Sequence, residues 1–164
     1  MNFQRQVSRM LDSEHHANLA LLGQVEQAFV RASRPGAAHD AELAALAARL
    51  GRNLEHDVGR HFDFEEQQLF PRMADFGDGG MAALLSEEHA VIREVALELL
   101  PLTRAAAAGE LDAEGWRSLT RGALEMVERQ VSHIQKETMA LLPLLDDLLD
   151  DDTDRELALA YASE

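Results

Sequence analysis

Four stretches of this sequence carry apolar residues at helical spacing, and the first three end at breaks containing glycine or proline. The first covers residues 4–31. Its Leu11, His15, Leu22, Val25 and Phe29 recur at intervals of four, seven, three and four, which line one face of a helix turning about every 3.6 residues. Arg34-Pro35-Gly36 stops it. The second starts near His39-Asp40, with Asp40 as its cap, and continues to about residue 75. Its inward stripe is Leu43, Leu46, Leu50, Leu54, His61, Glu65 and Leu69, and Pro71 allows a kink near its end. After Phe76-Gly77-Asp78-Gly79-Gly80 a third helix is expected over residues 81–108, with Leu85, His89, Ile92, Ala96 and Leu99 inward and a bend at Pro101. The fourth begins at Asp112 and continues to residue 149, with Leu119, Met126, Gln130, His133, Glu137, Leu141 and Leu144 inward. Alanine and leucine dominate, and aromatics are only 5%, which favours helix over strand. Short loops make neighbouring helices antiparallel. The expectation is therefore an all-α, up-down-up-down four-helix bundle over residues 1–149. Residues 150–164 are expected to form a solvated acidic tail, frayed at Asp150-Asp151-Asp152, with a short helical turn near residues 156–161.

The composition removes several function classes. With no cysteine in the chain, disulfides, thiolate sites and iron–sulfur clusters are excluded, so any metal must sit on imidazole and carboxylate. The formal net charge of -15 repels nucleic acid and anionic membranes, so neither is an expected partner. The first residues, MNFQRQVSRML, show no signal-peptide pattern, and no apolar run is long enough to span a bilayer. A cytoplasmic protein, monomeric or weakly dimeric, is the expectation.

Function is written in the polar residues set into these stripes. His61 and Glu65 are four residues apart, as are His133 and Glu137. That spacing brings both side chains out on one helix face, one above the other. An ionised carboxylate in an apolar core needs a cation. Imidazole with carboxylate suits iron, manganese or zinc. His15 and His89 lie early in the first and third helices, and the two His/Glu pairs lie past the middle of the second and fourth. In an antiparallel bundle these positions can meet at one depth. Four imidazoles and two carboxylates exceed the needs of one metal with a vacancy and suit two metals bridged by Glu65 and Glu137. The competing reading of each pair is a buried hydrogen bond or a surface salt bridge. His16 and His56 fall off the inward stripes, and His39 belongs at the other end of the bundle. Glu66 and Glu88 flank the site as solvated or supporting groups. Gln130 is either a core amide bonded to backbone or a donor beside the metals. Phe62, Phe64, Phe70, Met10, Met73, Met126 and Met139 read as packing.

Taken in order, Glu14-His15, His61-Phe62-x-x-Glu65-Glu66-x-x-Leu69-Phe70-Pro71, Glu88-His89-x-x-Ile92-Arg93 and His133-Ile134-x-x-Glu137-x-x-x-Leu141-Leu142-Pro143 resemble the hemerythrin/HHE cation-binding family over residues 11–149. The resemblance implies two iron ions with a bridging oxo or hydroxo group. His15, His61, His89 and His133 would be terminal ligands, and Glu65 and Glu137 bridges. Two departures separate the chain from the oxygen-carrying hemerythrins. Arg93 stands where they place a second histidine on the third helix, and a guanidinium cannot ligate. Thr138 stands where their fourth helix has an aspartate, the acid here being Glu137. The resemblance then implies a protein that binds or reacts with oxygen, peroxide or nitric oxide in redox or nitrosative stress, or that senses oxygen or iron. The alternatives are ferritin-like iron oxidation and storage, a reversible oxygen carrier, and a metal-free helical interaction module. Val58 and Gln130 stand where the ferritin pattern requires glutamates.

Overall fold

A computed structural model describes residues 2–163, and its regular structure is entirely helical. Helix α1 is Gln6–Ala32 and buries Val7, Leu11, His15, Leu22, Val25 and Phe29 along one face. Helix α2 covers residues 41–75 and α3 is Gly79–Ala107, which runs on through Pro101; α4 covers residues 113–148. Asp40, Asp78 and Asp112 open α2, α3 and α4, their carboxylates accepting from the amides of Leu43, Met81 and Gly115. Each thereby satisfies a donor that the first helical turn leaves unpaired. The connections turn on Gly36, Gly77 and Gly109, with φ of 77°, 105° and 72°, a region in which a Cβ is strained.

Each helix packs on its sequence neighbour and α4 closes against α1, forming the antiparallel four-helix bundle. Gly51 permits the close approach of α2 to α3: a Cβ there would lie 2.6 Å from Thr103 Oγ1 and 3.1 Å from its Cβ. The core is split into two apolar clusters. Leu22, Phe29, Leu54, Ile92, Leu99 and Met126 belong to one, and Leu11, Phe64, Leu69, Leu85, Leu141 and Leu145 to the other. His15 lies along α1 between Leu11 and Leu22, and His89 along α3 between Leu85 and Ile92, so a buried polar layer separates the clusters.

Helices α2 and α4 are not uniform. Five-residue π turns occur at Asp57–His61, Glu65–Leu69 and Glu137–Leu141. The last two stand directly before Phe70-Pro71 and Leu142-Pro143, with the Phe70 and Leu142 amides donating to the Glu65 and Glu137 carbonyls. Proline has no N–H and crowds the carbonyl four residues back. A widened turn relieves both problems without ending the helix, so the kink expected at Pro71 takes this form. It also corrects the phase beyond Glu137: Leu145 is fully buried and the expected Leu144 only partly so. In α2, in the regular helix ahead of the π turns, Ala47 is buried and the expected Leu46 only partly so.

The acidic end corrects a second expectation. Residues 151–162 are not a solvated tail but a fifth helix, α5, Asp151–Ala162, packed on α1. Asp150 caps it through the Thr153 amide at 2.7 Å. Asp151, Asp152 and Asp154 sit in its first turn, where negative charge is favoured by the helix dipole. Asp154 also accepts from the amides of Gln6 and Val7 at 2.8 and 2.9 Å, capping α1 from outside. Leu157 and Tyr161 are buried against the second apolar cluster. Among the described residues no helix is long and apolar enough to cross a membrane.

Candidate metal centre

The six residues expected at the site converge in the polar layer, none more than 3% exposed. His15 Nε2 is 3.1 Å from Glu137 Oε2. His61 Nε2 touches Glu65 Oε1, and His133 Nε2 touches Glu137 Oε1. His89 Nε2 lies 3.5 Å from Glu137 Oε1, 3.9 Å from Glu65 Oε2 and 2.9 Å from His133 Nε2. Two clusters of donor atoms result, each within 4.8 Å: Glu65, His89, His133 and Glu137; and His15, His61 and Glu137. The two oxygens of Glu137 divide between them, one toward His15 and one toward His89 and His133. Those of Glu65 divide between His61 and His89.

The outward nitrogen of every histidine is held by a different helix. His61 Nδ1 meets Glu14 Oε2 at 2.7 Å, His89 Nδ1 meets Glu66 at 3.0 Å, His133 Nδ1 meets Glu88 at 3.4 Å, and His15 Nδ1 meets the Thr138 hydroxyl at 3.0 Å. Each partner is the immediate sequence neighbour of a site residue on the preceding helix: Glu14 of His15, Glu66 of Glu65, Glu88 of His89, and Thr138 of Glu137. One step along a helix turns the side chain by about 100°, which aims each partner at the adjacent helix. The tethers run from α1 to α2, α2 to α3, α3 to α4, and back from α4 to α1. A carboxylate can only accept. Glu14, Glu66 and Glu88 therefore keep the proton on Nδ1, and the neutral ring turns its Nε2 lone pair inward.

That arrangement fits a cation and is poor without one. The Nε2 lone pairs of neutral His89 and His133 would face each other across 2.9 Å. Both oxygens of Glu65 and Oε1 of Glu137 are buried without a well-formed hydrogen bond, although His61 and His133 touch them. Burial first, then the charge of Glu137, pushes the Glu65 carboxyl up to about 8. For Glu137 burial acts the same way but is outweighed by His133, His15 and His89, which hold it well below the carboxylate range. Burial opposes the charged form of His133, yet Glu137 and Glu65 raise it to about 9. His61 is likewise raised, burial being overcome by Glu65 and Glu14. His89, where burial dominates, is lowered. Without metal, protons must occupy what is otherwise a set of cation donors.

Beside the cluster lies a cavity of about 10 Å³ bordered by His15, His61, His133 and Glu137. Its polar wall is Asn18, Asp57 and Gln130. Asp57, whose carboxyl is raised by burial, accepts from Asn18 at 2.9 Å, and Asn18 accepts from Asn53 at 2.8 Å. Gln130 contacts the Met126 sulfur at 3.4 Å. Phe62 stacks on His89 with ring centroids 3.7 Å apart.

The histidines expected elsewhere are elsewhere: His16 and His56 are exposed, and His39 stacks on Trp116 at 4.8 Å. Met139 is not packing, being 76% exposed. Arg93 does not approach the donor cluster as a ligand; it binds Glu66 at 2.7 Å and Asp63 at 2.8 Å. From the sequence, Glu66 and Glu88 are either solvated or supporting, Glu14 and Thr138 are motif positions with no role, and Asp57 and Tyr161 carry no mark. The available signal for the first four of these was adjacency to a site residue.

The family model for the hemerythrin HHE cation-binding domain matches residues 6–145. No curated protein and no solved structure gives a match.

Proposed function

This chain belongs to the hemerythrin HHE cation-binding domain family, and from that premise we propose that it is a non-haem di-iron protein that binds or reacts with oxygen, peroxide or nitric oxide. The observation that carries the reading is the pair of divided carboxylates. Glu65 and Glu137 each turn one oxygen toward His15 or His61 and the other toward His89 or His133. Two ions would thus have two histidines each and share both glutamates. Iron held there would supply the one-electron chemistry that small diatomics and peroxide require.

The chain's own residues do the rest. The four tethers fix each imidazole tautomer. Phe62 and the flanking leucines keep water out of the layer. The cavity of about 10 Å³ admits roughly one water-sized molecule, which supports a very small ligand over an organic substrate. Asp57, Asn18 and Gln130 offer that ligand its hydrogen bonds. Arg93, bound to Glu66 where an oxygen carrier would place a further histidine, withholds that ligand from the ion beside His89, which favours reaction over carriage.

The test is anaerobic titration with ferrous iron, followed by mixing with oxygen. We expect about two irons per chain and oxidation of the centre on exposure. A single tightly held metal, unaffected by Glu65→Ala and Glu137→Ala, would overturn the shared-carboxylate reading. Oxygen taken up and released under vacuum over many cycles without oxidation would make the protein a carrier.

A further inference from the structure

We propose that α5, which lies beyond the matched domain, completes the metal centre, with Tyr161 as a positioning residue that holds Glu14 on His61. The inference rests on the two-metal reading above.

The three carboxylates that hold histidines differ in what holds them. Glu66 is bound by Arg93 at 2.7 Å, and Glu88 by Lys136 at 2.7 Å. No lysine or arginine binds Glu14 among the described residues. Its second partner is the Tyr161 hydroxyl, which donates to the same Oε2 that receives His61 Nδ1. The phenol oxygen is also 3.1 Å from Nδ1 itself. Phenol, carboxylate and imidazole thus form a closed triangle on the outer edge of His61. The Glu14 side chain is 31% exposed, and without the phenol only His61 would tether it against water. Tyr161 therefore does for Glu14 what Arg93 and Lys136 do for their carboxylates, but as a neutral group.

The rest of α5 is built to deliver that hydroxyl. Arg60 lies over the Tyr161 ring at 4.8 Å and donates to its carbonyl. The Phe64 ring packs at 4.7 Å. Asp154 grips the start of α1, the helix that carries Glu14 and His15. None of these contacts needs the hydroxyl, so Tyr161→Phe removes the hydrogen bond and leaves the docking.

The consequence is an asymmetry. The metal position served by His15 and His61 depends on α5, whereas the one served by His89 and His133 does not. Supporting partners of metal-bound histidines are typically worth roughly 10- to 100-fold in affinity.

The experiment titrates full-length metal-free protein with Co²⁺, reading stoichiometry, affinity and the visible absorption of the bound ion, with helicity measured alongside. Wild type is expected to bind two ions. Tyr161→Phe, with unchanged helicity, is expected to bind one as wild type does and the other at least about 10-fold more weakly, with altered absorption for that ion alone. Two ions bound with wild-type affinity and spectrum would overturn the role of Tyr161 and leave the two-metal reading standing. Equal weakening of both would overturn it as well, by showing a general loss of packing. Fewer than two ions in wild type would overturn the two-metal reading, and this inference with it.

Discussion

Replacing Glu65 by glutamine should have opposite effects on the protein with and without metal. Glu65 is 0% exposed, and neither of its oxygens has a well-formed hydrogen bond. A buried polar group left unsatisfied costs about 1–3 kcal/mol. Glutamine keeps the shape, carries no charge, and can donate its amide to the unpaired Oε1 of Glu137. In a chain of this length each kcal/mol moves the melting temperature by roughly 2–4 °C. Metal-free Glu65→Gln should therefore melt roughly 2–12 °C above metal-free wild type. The pH dependence has a definite sign. The folded-state pKa of Glu65 is raised from 4.5 to about 8, so between those values the folded state holds a proton that the unfolded state releases. This contribution to wild-type stability is complete below the ordinary pKa and is lost as pH rises toward about 8. The glutamine variant lacks it, so its advantage should widen from acid to mildly alkaline pH. With metal the order reverses, because the variant loses the negative charge and one of the two oxygens turned toward the two positions, and with them part of the stabilisation by binding. Thermal melts with and without chelator, at acid and alkaline pH, read all of this. A metal-free variant no more stable than wild type at alkaline pH would refute the account of Glu65 as a residue that strains the fold for a cation.

Removing metal from wild type with a strong chelator should lower the melting temperature while circular dichroism keeps its helical signal, because both apolar clusters survive. A melt indifferent to demonstrated metal loss would contradict this. Gly51→Ala should destabilise the bundle by about 1–3 kcal/mol through overpacking against Thr103, although alanine is the better helix former. In a Thr103→Ala background the same change should become neutral or favourable, as denaturant titration would show. Deleting Met139 together with Pro143→Ala should leave a folded bundle, because it removes the surplus residue of a π turn and the proline that needed the wide turn. Deleting Glu128 in the regular part of α4 should not, and equal damage from the two deletions would refute the reasoning.

The helices and the six central residues were legible because both signals are periodic and strong. A buried histidine or glutamate in step with leucines needs a partner, either another polar side chain or a cation, and four such stripes in register bring those partners to one depth. The features that escaped depend on contacts distant in sequence. Nothing near Asp154 shows that it caps Gln6 and Val7 at the far end of the chain. Leu157 and Tyr161 alone are too few to mark a buried face in a segment opened by aspartates, so α5 read as solvated. Glu14, Glu66 and Glu88 bond to histidines on other helices, so their roles appear only once neighbouring helices are known. A regular helix would turn Leu144 inward, seven residues after Glu137; the π turn at Glu137–Leu141 buries Leu145 instead.

That last displacement has its cause in the spacing. Asp57, His61, Glu65, Leu69 and Met73 are all buried and all four residues apart, as are His133, Glu137, Leu141 and Leu145. Four residues overshoot a full turn of α-helix by about 40°. Over the first run a regular helix would drift by about 160°, and over the second by about 120°, carrying the later side chains away from the core. Each π turn absorbs one extra residue, about 100° of rotation. α2 has two across its longer run and α4 one across its shorter run, which leaves a net drift of only about 20–40° in each. The under-wound turns are thus what allows a histidine, a glutamate four residues on and the leucines beyond them to share one face. Pro71 and Pro143, each six residues after its glutamate, favour the wide turn where it is needed. A spacing of four that repeats through polar and apolar residues alike, with a proline inside its last step, is therefore a sequence signal for π turns around the donor cluster.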